Sequence, residues 1–301
     1  MTVETRTLFD QPLLVTIPAR HARGRMVRLG PVLDAILAAH AYPEPISRTL
    51  AEALVLTALL GSTLKEAGGQ LTLQAQTEKG IIDLLVCDFR GGELRGYIKF
   101  DLERLAEVPS DPSLFALFGK GYLAITFDHP VTDEIGQEGR YQGIVPLDGA
   151  SIAEAAQSYL AQSEQLPSLV RIAARHGQDG QCVAGGFLMQ HLPEGEEGRE
   201  RIHTRLDHPE WEHVRALAET ISADELVDSN LALEDLAWRL FNEDEVRVAP
   251  GGALLRGCRC DADYLASVIA RFPEEEREHM ANEGVITVDC AFCARKFPIP
   301  L

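Results

Sequence analysis

Long apolar runs are missing from this 301-residue sequence. None approaches the roughly 18 to 20 unbroken apolar residues that a membrane span requires. The best candidate, around Ala53 to Leu64, is shorter and reads as a buried helix. The start, Met1 to Asp10, lacks the basic patch, apolar stretch and small-residue cleavage site of a secretory signal, so a cytoplasmic protein is expected. Positive charge is also scarce, with 28 Lys and Arg against 46 Asp and Glu and a net charge of −18. Such a chain repels nucleic-acid phosphates and anionic membranes, so neither is an expected partner. The first 190 residues contain no phosphate loop, no GxSxG elbow, no HExxH and no GxGxxG, and no catalytic residue is assigned. The acidic residues Asp83, Glu134 and Glu154 are scattered and read as solvated surface. Six cysteines are too few and too clustered for a secreted disulfide scaffold; in a reducing compartment such clustering points to metal or redox chemistry.

What is present is organised in three stretches. Residues 1–190 read as a mixed α and β domain. Pro31 opens a helix running to His40, and a second helix from Ser47 to about Lys65 is apolar almost all round, which predicts burial. Strands are expected at Leu71 to Leu73, Ile81 to Phe89, Glu93 to Phe100 after the Gly91-Gly92 turn, Gly121 to Phe127, Tyr141 to Leu147 and Leu169 to Ala174. Ser151 with Glu154 forms a capping-box pattern for a helix through Gln162. Strands interleaved irregularly with few helices predict an α+β fold with antiparallel-rich sheets rather than a strict βαβ repeat. Residues 191–250 follow as an acidic helical linker, with 16 acidic residues against 6 Arg. It opens on the acidic break PEGEEGRE and then carries two apolar stripes, Trp211, Val214, Leu217 and Ile221, then Leu233, Leu236 and Leu240 with Trp238 and Phe241 nearby. Ser222 and Glu225 are placed to cap a short helix between them. Helices this short draw little stability from themselves and need a surface to lie against.

Residues 251–301 carry GCRC, then 29 residues, then CAFC. Two close pairs separated by a short folded segment can converge on one tetrahedral Zn²⁺, with Cys258, Cys260, Cys290 and Cys293 each supplying a thiolate. Helices are expected from about Asp263 to Arg271 and from Pro273 to Asn282, stopped by Gly284, and a strand from Val285 to Val288. His279 lies between the pairs but reads as a surface helix residue, because four thiolates already close a shell. Cys87 and Cys182 read as buried or incidental thiols. An oxidant that joins either close pair removes two ligands at once, so in a segment that folds on its metal, oxidation is also unfolding. The linker beside it would then lose its partner and expose Trp211, Leu217, Trp238 and Leu240.

The sequence resembles the heat-shock protein 33 family over nearly its whole length. Besides the terminal cysteines, the matching stretches are YPEPISRTLAEALVLTALLGSTLK (42–65), GKGYLAIT (119–126), GRYQGIVPLDG (139–149), SEQLPS (163–168), AGGFLMQ (184–190) and LAWRLFNEDEV (236–246). The resemblance implies an N-terminal chaperone core, a metastable linker folded onto it when reduced, and a C-terminal zinc-binding redox-switch domain. It implies one Zn²⁺ per chain held by Cys258, Cys260, Cys290 and Cys293 in an inactive reduced state. Oxidation would pair Cys258 with Cys260 and Cys290 with Cys293, release zinc and give an active homodimer. The implied partners are unfolded or aggregation-prone client proteins, held without ATP under oxidative stress and passed to an ATP-dependent foldase. Two other readings compete: an enzyme propped by a static zinc ribbon, for which the motifs are missing, and a redox-responsive transcription regulator. The second would need a basic patch, and Arg20, Arg23, Arg25 and Arg28 read as a short solvated edge instead.

Overall fold

The computed structural model describes residues 9–64, 68–130, 139–147, 149–177, 180–192 and 208–301. In chain order the elements are β1 (Leu13–Ile17), β2 (Ala22–Leu29), α1 (Pro31–Leu37), α2 (Glu44–Gly61), β3 (Gln70–Thr77), β4 (Ile82–Arg90), β5 (Glu93–Phe100), α3 (Leu102–Leu105), α4 (Leu114–Phe118), β6 (Gly121–His129), β7 (Gly139–Pro146), α5 (Ile152–Gln162), β8 (Ser168–His176) and β9 (Cys182–His191). There follow α6 (Pro209–Ala218), α7 (Ala223–Val227), α8 (Leu233–Phe241), β10 (Arg247–Pro250), β11 (Leu255–Arg256), α9 (Ala262–Ile269), α10 (Glu274–Met280), β12 (Val285–Asp289) and β13 (Lys296–Pro300). The fold is α+β, and its sheets are antiparallel except where β11 joins β5. Lys65, the PEGEEGRE break and Glu134 lie outside the described residues.

Two sheets build the body, one in the order β10-β1-β2-β9-β8 and the other β11-β5-β4-β3-β6-β7. Helix α2 lies between them, touching β2, β8 and β9 of the first sheet and β3, β4 and β5 of the second. Fourteen of its eighteen residues are buried, which is what an all-round apolar helix requires. Along β9 two adjacent glycines face opposite ways. A Cβ on Gly186 would lie 2.4 Å from Val55 of α2, and one on Gly185 would lie 2.1 Å from the carbonyl oxygen of Leu226 in α7. The pair therefore lets a helix close on each face of the same strand. Ser151 caps α5 as expected, but Glu154 accepts from Ala150 rather than from the cap residue itself. The box at Ser222 and Glu225 is complete.

The outer face of the first sheet forms a second core with α6, α7 and α8. Strand residues Leu13, Val15, Met26 and Phe187 meet Trp211, Val214, Leu236 and Phe241 there, all buried. The helices therefore rest on this sheet of the N-terminal part of the chain rather than on the cysteine-bearing tail. Exposure of the two tryptophans is also split: Trp211 is 3% exposed, whereas Trp238 is already 64% exposed in the closed molecule. Trp238 lies five residues beyond Leu233, off the face on which Leu233, Leu236, Ala237 and Phe241 align.

One polar side chain pins this layer. Arg28 of β2 is fully buried, and its guanidinium donates to the carbonyls of Leu226 at 2.8 Å, Leu231 at 2.7 Å and Glu225 at 3.0 Å. Burial lowers its pKa, opposed by the nearby Asp228. The expected solvated arginine edge is thus corrected: Arg28 is buried in a strand interior, and Arg23 and Arg25 of the same strand are half-buried. Arg20, in a single 3-10 turn at Pro18–Arg20, adds ion pairs to Glu210 at 2.5 Å and to the half-buried Asp244 at 2.9 Å.

The far edges of the two sheets are bridged by α5, which packs on β7 and β8. Their near edges are bridged by a strap, residues 247–257. It pairs with β1 through β10 and with β5 through β11, and between these the amides of Gly251 and Leu254 donate to Pro12 and Asp10 at 2.7 Å each. Leu254 is buried in the main core.

Candidate metal centre

Residues Cys258 and Cys260 leave the end of the strap, and Cys290 and Cys293 occupy the turn between β12 and β13. All four sulfurs lie within 4.8 Å of one another, with Cys258–Cys260 at 3.5 Å, Cys258–Cys290 at 3.6 Å and Cys260–Cys293 at 3.7 Å. A tetrahedron of sulfurs about 2.3 Å from a central Zn²⁺ has edges of about 3.8 Å, so this donor set fits that ion in chemistry and in size. A disulfide needs about 2.05 Å, and all four thiols are free. The three near-equal separations do not favour any one pairing on oxidation. Among the described residues no other group of three or more His, Cys, Asp or Glu comes close enough to share an ion.

Burial and mutual contact act differently on the four sulfurs. Desolvation pushes the Cys258 thiol up to about 12 and raises Cys260. Desolvation opposes ionisation at Cys293 too, but the backbone N–H of Arg295 and hydrogen bonds from the neighbouring thiols hold it below its ordinary value. Crowded sulfurs resist sharing negative charge until a divalent ion supplies the opposite sign.

The tail around these residues has almost no core. Helices α9 and α10 contain no buried residue, and beyond Cys258 the buried apolar side chains are Ile286, Phe297 and Ile299, on the β12–β13 hairpin. Each contributes about 1.5–3 kcal/mol, and a lone two-stranded hairpin is marginal in water. A unit of this size needs a covalent or metal staple. His279 is exposed on α10, as expected of a surface helix residue. Cys87 and Cys182 are buried, and burial raises both thiols, Cys182 to about 12, which leaves them unreactive. Asp83 is exposed and faces Lys99 at 3.6 Å, and Glu154 serves the start of α5, so neither joins a site.

Sequence reasoning missed what surrounds the centre. Arg259, inside the first cysteine pair, reaches β3 and β4, and Phe292, inside the second, reaches β5. Their positions within the motifs were visible, but spacing identifies ligands and says nothing of what the intervening side chains touch.

The Hsp33 protein family model matches residues 10–299. The 33 kDa chaperonin of Caulobacter vibrioides is 40% identical over 305 residues, covering 98% of this chain and 96% of the relative. That of Pseudoalteromonas atlantica is 35% identical, with 96% and 92% covered. A crystal structure of the 33 kDa chaperonin (heat shock protein 33 homolog) from Thermotoga maritima superposes with a TM-score of 0.78 at 22% identity, covering 97% of this chain and 95% of that one, which shows the same fold. From the cysteine quartet, the two-sheet body and matches that run almost end to end, the chain belongs to the Hsp33 family.

Proposed function

We propose that this chain is a redox-regulated, ATP-independent holdase chaperone of the cytoplasm, not an enzyme, built as a core at 1–190, a linker at 191–250 and a switch at 251–301. The observation that carries the reading is the continuous path from thiol cluster to covered apolar surface. Three short acidic helices cover the outer face of the first sheet, and the strand that leaves them runs directly into Cys258. In the reduced protein Cys258, Cys260, Cys290 and Cys293 would hold one Zn²⁺, which supplies a cross-link that the tail's sparse core does not provide.

Oxidation would join Cys258 to Cys260 and Cys290 to Cys293, the pairing the family implies. As each pair of thiolates forms its S–S bond, two electrons pass to a peroxide, whose O–O bond breaks; with two protons from solvent it leaves as two waters. The cysteines then have no thiolates left with which to hold the ion. The tail loosens, β11 and β10 peel from the sheet edges, and α6 to α8 lift from the first sheet. The face so exposed recruits unfolded chains with little demand on their sequence. A homodimer in the oxidised state, and release of clients to an ATP-dependent foldase, complete the reading.

The test follows zinc content and suppression of client aggregation together. Reduced protein is expected to carry one Zn²⁺ per chain and to leave an aggregating client unprotected. Peroxide or hypochlorite at elevated temperature is expected to release zinc and confer protection. Equal protection in both states would remove the switch.

A further inference from the structure

The tail touches the body at a place far from the linker helices: the outer face of β3, β4 and β5, in the second sheet. Two side chains make the contact, and each stands inside one of the cysteine pairs. Arg259 donates through Nη1 to Oε1 of Gln70 at 3.0 Å and approaches Oδ2 of Asp88 at 3.5 Å. The ring of Phe292 lies beneath the Arg95 guanidinium, 3.9 Å from its centroid, and meets Tyr97 edge-on at 4.9 Å. The Phe292 carbonyl lies 3.3 Å from Nε2 of His40.

A single carboxylate joins the two contacts. Asp88 is 3% exposed, accepts from Nε of Arg95 at 2.7 Å and from the Thr72 hydroxyl at 2.8 Å, and faces Arg259. Arg259, Asp88, Arg95 and Phe292 thus form one continuous chain from the first cysteine pair to the second. A cation over an aromatic face gains from partial desolvation, and a buried carboxylate needs its partners. Arg259 is fixed by Cys258 and Cys260, and Phe292 by Cys290 and Cys293, so their spacing matches the sheet only while all four sulfurs converge. Immediately before Cys258, the Gly257 amide donates to the Leu94 carbonyl at 2.9 Å and ends the strap's pairing with β5.

We propose that Arg259 and Phe292 form a two-point latch through which the second sheet recognises the closed four-thiolate centre, so that the latch, and not the metal ligands alone, keeps the strap paired to β5. This rests on the reading that the four cysteines hold zinc. The latch lies outside the thiolate shell, so removing it separates docking of the tail from metal binding.

The test uses the full-length reduced, zinc-loaded protein and compares wild type with Arg259→Ala, Phe292→Ala and the double variant. Asp88→Asn, which keeps the shape of the shared acceptor and removes its charge, is a fourth form. All are expected to carry one zinc per chain. Amide exchange at Leu255 and Gly257 is expected to rise about tenfold or more in the double variant and several-fold in the single ones, because local opening sets exchange. Exchange in α2 should stay unchanged. Zinc-loaded variants with wild-type exchange at Leu255 and Gly257 would overturn the latch, as would variants that lose their zinc. Failure of the zinc reading itself would show separately, as wild-type protein without stoichiometric metal.

Discussion

Arg28 is the residue on which closure of the linker layer turns. Its three carbonyl acceptors come from α7 and the turn after it. Replacing it with Met keeps the volume and takes the donor from the Leu226 and Leu231 carbonyls at a cost of about 1–3 kcal/mol each, while the Glu225 carbonyl keeps the Asp228 amide. The Arg28→Met protein should therefore expose Trp211 without oxidant and with the same metal content as the wild type. Trp211 emission in a Trp238→Phe background measures this, and an unshifted spectrum would show that apolar contact alone holds the helices. A second residue sets a pH dependence of the body. Burial pushes Glu52 of α2 up to about 7, against Arg48, which lowers it, and with Asp111, which raises it. The folded state therefore binds a proton that the unfolded state has lost between roughly pH 4.5 and pH 7, and stability from this group falls as pH rises through that window. Glu52→Gln should raise the melting temperature by a few degrees at pH 8 and change it little at pH 5, an effect of about 1–3 kcal/mol. An equal shift at both pH values would place the effect elsewhere.

At the scale of elements, the close approach of α7 to β9 yields a sharper contrast. Ala at 185 would drive its Cβ into the Leu226 carbonyl, so Gly185→Ala should lift α7 from the sheet at a cost of about 1–3 kcal/mol. Gly186→Ala pushes instead on Val55, inside the main core. Hydrogen exchange should rise in residues 223–241 for the first variant and across α2 for the second; the same pattern in both would contradict the two-faced role of β9. These elements also show where pattern reading succeeds and fails. Helix α2, β4 and β5 were legible because a long apolar segment and clean turn signals leave few alternatives. Strands β1 and β2 were not assigned: ARGRMVRL hides a buried face behind three arginines, one of them itself buried. Strand β9 was not assigned either: its Gly185-Gly186 pair weakens a strand pattern, and the helices that press on both sides are distant in sequence. The linker helices were visible as stripes, but what they lie against is a long-range fact. The four cysteines were legible as two close pairs that could share a metal ion, because the spacing within each pair is local, and the structure brings the pairs together. Arg259 and Phe292 were not, since their partners are 189 and about 195 residues away.

For the whole molecule, the arrangement separates the thiol cluster from the helices that cover the first sheet. The linker helices rest on the first sheet, the cysteine tail docks on the second, and the strap at 247–257 stitches a near edge of each. A change at the sulfurs can reach α8 by unpairing β11 and then β10, which borders β1, the strand that α8 touches. Releasing β10 and β11 also leaves β1 and β5 as unpaired edges, which are ready templates for another extended chain. The whole sequence depends on one premise: the tail, with three buried apolar side chains beyond Cys258, is ordered by its metal. The most direct measurement is amide exchange of residues 258–301 in the reduced full-length chain before and after stoichiometric removal of zinc by a chelator. Protection of the β12–β13 hairpin and of α9 should collapse when the metal is gone and return when it is restored; a tail that stays protected without metal would contradict the account.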